Sequence, residues 1–219
     1  MNWIVRRMIA MIIFLFMAQP IASNRWVGDS FLIHVNLWEN RLILWHQNEI
    51  IREYPIAAGS DISPTPIGVY QVIEKSKGWG GGFGTRWIGI NVPWGTYGIH
   101  GTNKPHLIGK NISSGCIRMH NEHVEELFEL VSVGTIVRIE GPITGIGRGE
   151  FIPLSLGSRG NLVQLVQQQL KVLGYYDGFV DGIFDLRTER AVKRFQKDHN
   201  LPVSGGITEK EYLLLGLIE

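Results

Sequence analysis

The chain has 219 residues, 44% hydrophobic and 19% charged, with 21 Lys+Arg against 20 Asp+Glu and one Cys. That composition excludes a disordered, collagenous or coiled-coil chain, and a net charge of +1 offers no basic excess for a nucleic-acid partner. One thiol cannot close an intramolecular disulfide.

Arg6 and Arg7 precede Met8–Ala18, an unbroken apolar run. As a helix it covers about 16 Å, too short for a bilayer core. Gln19 and Pro20 break the run, and the small residues Ala22 and Ser23 follow. Residues 1–23 therefore read as a secretory signal peptide. The chain is expected to be exported, and to stay anchored in the membrane if the signal is not cleaved.

From residue 31 the pattern is that of strands. Phe31, Ile33, Val35 and Leu37 alternate with Leu32, His34 and Asn36, the period of a half-buried strand. Turns at Glu39-Asn40 and Gln47-Asn48 lead into Leu42–His46 and Ile50–Ala57, predicting an antiparallel meander. Pro64-Thr-Pro-Ile-Gly68 turns the chain into Val69–Glu74, and Gly78 to Gly84 is a glycine-rich loop. That loop lacks the Gly-Lys-Ser/Thr ending of a phosphate cradle and reads as a tight or mobile turn. One helix is predicted from Asn121, taken as its N-cap, with Val124, Leu127, Phe128 and Val131 on its inner face. Thr135–Ile139 returns to strand.

Gly141 to Gly149 is rich in Gly and lacks periodicity, so residues 141–157 are read as a linker. Beyond it the pattern is helical. Asn161 is the expected cap of a helix with Leu162, Leu165, Val166, Leu170 and Leu173 in one stripe, ended by Gly174. Thr188 is expected to open a second helix, with Ala191, Val192 and Phe195 inward. Thr208-Glu-Lys-Glu211 is a capping box for a third. Tyr175 and Tyr176 are expected on the surface of this bundle. The fold class is α+β: a mostly-β domain over 29–140 and a small all-α three-helix domain over 158–219.

The chemistry concentrates in residues 97–123, where Cys116 lies among four of the seven His residues. A thiol reacts as thiolate and needs a nearby base. Gly115 frees the backbone for a tight turn whose amides can face an oxyanion. Three readings stand at this point: a nucleophile, a buried apolar thiol, and a metal site made of Cys116, His120 and His123. The Cys-x3-His-x2-His spacing is not a standard zinc pattern and lacks a fourth ligand, so no metal or other cofactor is expected.

Four segments resemble the catalytic domain of the L,D-transpeptidases (YkuD-like): Thr65-Pro-Ile-Gly68, Gly84-Thr-Arg-Trp87, Ile99-His-Gly-Thr102, and Ser113-Ser-Gly-Cys-Ile-Arg-Met119. Leu165, Gln168, Leu170, Gly174-Tyr-Tyr-Asp-Gly178, Asp181-Gly-Ile-Phe184 and Thr188 to Gln196 resemble a peptidoglycan-binding module. The resemblance implies that Cys116 is the nucleophile and His100 the general acid/base. Gly101 would orient the imidazole through its carbonyl, and amides at Ser114, Gly115 and Cys116 would form the oxyanion hole. Arg118 would hold a substrate carboxylate or else brace the Cys loop. The donor would be a peptidoglycan tetrapeptide stem losing D-Ala, and the acceptor a second stem, giving a 3→3 cross-link. The alternative is an L,D-carboxypeptidase or another Cys/His peptidase acting on the same stems; a non-catalytic wall-binding protein is disfavoured by Cys116 and His100 together. The partners implied are cell-wall peptidoglycan and carbapenem-type inhibitors.

Two departures stand out. Ser114 replaces a His common in the family, and Asp185 stands where Gly often follows Phe184. His34, His46 and His199 read as ordinary surface or strand residues, and His106, His120 and His123 lean structural.

Overall fold

The computed structural model describes residues 31–143 and 151–219. The expected signal peptide, and the middle of the expected linker, lie outside the described residues. Ten strands come first: β1 (Phe31–Asn36), β2 (Arg41–His46), β3 (Glu49–Pro55), β4 (Ala58–Gly59), β5 (Gly68–Lys77), β6 (Arg86–Ile90), β7 (Tyr97–His100), β8 (Asn111–Ser113), β9 (Ile117–Arg118) and β10 (Ile136–Glu140). Helix α1 (Asn121–Leu130) precedes β10, and α2 (Asn161–Val172), α3 (Leu186–Asp198) and α4 (Glu209–Leu214) follow it.

Eight strands form one sheet in the order β3-β2-β1-β10-β5-β6-β7-β9. The expected meander holds for β1 to β3, where Gln47 and Asn48 take φ of 50° and 67° and so supply the left-handed pair a two-residue hairpin turn needs. Beyond it the sheet is mixed: β1 pairs in parallel with β10, and β7 with β9. Parallel pairing needs a long return connection that local periodicity cannot reveal. The alternating residues Ile33 and Val35 are fully buried, and Val124, Leu127 and Phe128 of α1 join the same core. Each such side chain stabilises the fold by about 1.5–3 kcal/mol.

The second core gathers Val163, Val166, Leu170, Phe184, Phe195 and Tyr212. Its stripe on α2 is rotated from the one expected: Val163 and Gln167 face inward, while Leu173 is exposed. Gln167 is fully buried because its amide is satisfied on both sides, accepting from the Gly182 amide at 2.8 Å and holding its two N–H hydrogens among Asp181, the Ile183 carbonyl, Thr188 and the Tyr176 hydroxyl. Tyr176 is buried rather than on the surface, with its hydroxyl donated to the Phe179 carbonyl, and Tyr175 packs edge-on against Phe195. Within the segment expected as linker, Leu154 pairs with Ile207 and Phe151 packs on Tyr212.

Helix starts show what composition alone misplaces. Asp185, not Thr188, caps α3: its carboxylate accepts from the Arg187 and Thr188 amides at 3.0 and 2.8 Å. Its φ of −93° is ordinary for an L-residue, so the missing glycine costs nothing there. Asp185→Ala is expected to lower stability by about 1 kcal/mol, read as a shift in the urea midpoint at constant m value. Asn121 and Asn161 both sit one residue inside their helices, after His120 and Gly160, and spend their side chains on other segments. Glu211 does reach back to the Thr208 amide at 2.8 Å, completing the box at α4.

Candidate active site

The site is built where β7 and β9 lie side by side. Ile99 pairs with Ile117 and His100 with Arg118. Cys116 immediately precedes β9, so the register sets it beside Gly98, two residues from His100. The Gly98 amide faces the thiol, and Arg118 is close enough to act on it electrostatically. Burial nevertheless pushes the Cys116 thiol above its ordinary range, so the resting group is S–H at neutral pH.

The turn carrying the thiol is braced from inside. Ser113, which is buried, donates its hydroxyl to the Cys116 carbonyl at 2.6 Å and accepts the Gly115 amide at 3.1 Å. The Gly115 amide is thus engaged by Ser113 within the turn. Cys116's own amide remains as a donor of that turn. Ser114 is exposed at the tip. Gly115 has φ of 104°, and a Cβ there would meet the Tyr97 ring at 2.6 Å, so both backbone conformation and space demand glycine.

His100 is buried. Its Nδ1 lies 2.6 Å from the Gly101 carbonyl. A carbonyl only accepts, so Nδ1 carries the proton and Nε2 keeps its lone pair. Burial, reinforced by the Arg118 charge, lowers the His100 pKa to about 4 against the opposing pull of the Gly101 and Phe83 carbonyls. The imidazole is therefore neutral at pH 7. Gly101 is itself locked: Asn121 Oδ1 accepts the Thr102 amide at 3.1 Å and leaves no room for a Cβ on either Gly101 or Gly84.

Sequence reasoning missed an aromatic wall over His100. Trp87 stacks on the imidazole at 5.8 Å between ring centres, Phe83 lies 5.0 Å away, and Trp79 stacks on Trp87 at 5.3 Å. Glu74 fixes Trp87 by accepting its indole N–H at 2.7 Å. The glycine-rich loop delivers Trp79 and Phe83 through a 3-10 turn, with positive φ at Gly78, Gly80, Gly81 and Gly84. The Gly84-Thr-Arg-Trp87 segment carried the one sequence signal for this wall.

Arg118 is half-buried, its Nε has no hydrogen-bond partner, and it makes no ion pair among the described residues. The ion-pair brace considered for it is not formed among the described residues. His120 and His123 lie 5.3 Å apart, with His123 against Tyr54 at 5.2 Å. Among the described residues no group of three or more His, Cys, Asp or Glu is placed to hold a metal. His106 is exposed in the turn Pro105–Leu107. His34 lies 3.3 Å from Glu140, and His199 Nδ1 is 2.8 Å from the Phe195 carbonyl. No helix among the described residues is long and apolar enough to cross a membrane.

The arrangement is a histidine at the end of one strand and a cysteine just before the strand parallel to it in a mixed sheet, followed by a helical module. The sequence model of the L,D-transpeptidase catalytic domain matches residues 30–139, and that of a putative peptidoglycan binding domain matches residues 159–211. The putative L,D-transpeptidase YkuD of Bacillus subtilis (strain 168) is 43% identical over 107 residues, 49% of this chain and 64% of that protein. The putative L,D-transpeptidase YqjB of the same organism is 39% identical over 136 residues, 55% of this chain and 76% of that protein. The solved catalytic domain of an E. faecium L,D-transpeptidase is 25% identical, with a TM-score of 0.45, over 52% of this chain and 99% of that one. This chain belongs to the L,D-transpeptidase family of enzymes, with a peptidoglycan-binding domain after the catalytic one.

Proposed function

We propose that the protein is an exported, wall-associated L,D-transpeptidase that joins peptidoglycan stems through a thioester on Cys116. The observation that carries this reading is the register of β7 and β9, which brings the one thiol beside a buried, neutral imidazole. His100 Nε2 takes the thiol proton as Cys116 Sγ adds to the carbonyl preceding the terminal D-Ala of a tetrapeptide stem. The tetrahedral oxyanion is held by the Cys116 amide. The C–N bond then breaks, and His100 returns the proton to the departing D-Ala amine. The side-chain amine of a second stem attacks the thioester, gives its proton to His100, and leaves a 3→3 cross-link and the free thiol. Arg118, without an ion-pair partner among the described residues, is assigned to a substrate carboxylate. Peptidoglycan lies outside the cytoplasmic membrane, in keeping with residues 1–23 as an export signal.

Incubation of the full chain with tetrapeptide-stem fragments, followed by mass analysis, tests the reading. The expected product is a dimer lacking one D-Ala. A tripeptide monomer as sole product would replace the transferase with the carboxypeptidase, in which water takes the acceptor's place. Added chelator is expected to leave the rate unchanged.

A further inference from the structure

The catalytic domain and the C-terminal module meet along a cleft of about 610 Å3 whose walls come from both. Asp61, Pro64 and Tyr97 line it from the catalytic side, and Ile152, Arg159 and Leu162 from the module. The two halves are held in register by Asn161, which is buried at the junction. Its side-chain amide donates to the Thr65 carbonyl at 3.0 Å and accepts the Ile67 amide at 3.1 Å. Nearby, Gly182 lies flat against Trp94, where a Cβ would come within 2.6 Å of the ring. The module's position beside the site is thus fixed by directional bonds and close packing.

Two walls of the cleft touch the loop that carries the thiol. Tyr97 and Pro64, two of its walls, also back onto Gly115: a Cβ there would lie 2.6 Å from the Tyr97 ring and 3.4 Å from the Pro64 carbonyl. Along the strands, His100 lies beside Arg118, and Tyr97 lies beside Gly115. His100 and the cleft therefore flank Cys116 from opposite ends.

That order decides what each end receives. The group that protonates the leaving amine must, by microscopic reversibility, also deprotonate the entering one. Departing D-Ala and incoming acceptor therefore share the His100 end. The acyl part, which stays on sulfur between the two steps, must extend the other way, toward Tyr97 and the cleft. Arg159 gives the module's wall of the cleft a positive charge, matching a stem that bears carboxylates.

We propose that the interdomain cleft binds the acyl-donor stem peptide, with Arg159 of the C-terminal module engaging one of its carboxylates. This rests on the transpeptidase reading above and adds to it a substrate-binding role for the module within the catalytic cycle. The module is then half of the donor site as well as an attachment to the wall.

Steady-state kinetics of the full chain with a disaccharide-tetrapeptide donor test the assignment. Arg159 is exposed and its pairing with Ile183 uses backbone atoms only, so its side chain can be replaced without loss of the fold. Arg159→Ala is expected to raise KM about five-fold and Arg159→Glu ten-fold or more, with kcat within two-fold of wild type and Arg159→Lys close to wild type. Acylation of Cys116 by a carbapenem, which carries no peptide stem for Arg159 to hold, is expected to proceed at the wild-type rate in all three. An unchanged KM in Arg159→Glu, with wild type active, overturns the cleft assignment alone. A parallel fall in carbapenem acylation overturns it too, because the substitution would then be acting through the Cys loop. Absence of turnover by wild type would instead sink the transpeptidase reading and take the cleft with it.

Discussion

Cys116→Ala is expected to abolish release of D-Ala and formation of cross-linked product while leaving the fold intact. The thiol is half-buried, its side chain loses a single atom in the exchange, and the turn around it is braced by Ser113 through backbone atoms that alanine keeps. The cost in stability is about 1 kcal/mol or less, well inside the margin of a domain this size. Activity is a different matter, since no other sulfur exists in the chain to form the thioester except thioethers, which are not nucleophiles of this kind. Residual turnover above a few per cent of wild type, in protein with an unchanged melting curve, would remove Cys116 from the role.

His100→Ala is expected to reduce kcat/KM by about 10²–10⁴-fold, the usual span for loss of a positioned general acid/base. The pH profile of wild type offers a sharper test. A base must be neutral to accept the thiol proton, and burial has lowered the His100 pKa to about 4. The acid limb of kcat/KM is therefore expected near pH 4, with activity held from pH 7 down through 6 and 5. An ordinary imidazole would begin to lose activity near pH 6.5. An acid limb at that higher value would show that the working histidine is solvated, which the aromatic cover over His100 forbids. On the alkaline side the raised thiol pKa acts in the same direction: Cys116 stays protonated at neutral pH, and deprotonation by His100 belongs to the reaction itself.

What could be read from the sequence followed the reach of each signal. Alternation over Phe31–Leu37 and the 3.6-residue period over Val124–Val131 report which face of one element is buried, and both placed the core residues correctly. The Ile-His-Gly and Ser-Ser-Gly-Cys-Ile-Arg segments named the two residues that β7 and β9 bring together. Neither kind of signal says that β7 and β9 run parallel, because that depends on a connection across 16 intervening residues. The capping predictions at Asn121 and Asn161 failed for one reason. Asparagine satisfies any nearby amide, and tertiary partners at Thr102 and at Thr65 and Ile67 outcompeted the local helix ends. Asp185 was the reverse case: read as an awkward replacement for glycine, it is the residue that starts α3. The wall of Trp79, Phe83 and Trp87 escaped notice because three aromatics on a loop and a strand have no period, and only the folded loop stacks them on an imidazole.

The central claim is that Cys116 attacks a carbonyl and holds the acyl group as a thioester. Intact-protein mass spectrometry after incubation with a carbapenem tests it most directly. The thiol adds to the strained lactam carbonyl, the C–N bond opens, and the proton passes to the lactam nitrogen, so the whole mass of the drug stays on the protein. Wild type is expected to gain one such adduct, mapped by digestion to the peptide containing Cys116, and Cys116→Ala none. An adduct on any other residue, or none from several carbapenems on folded wild type, would contradict the assignment.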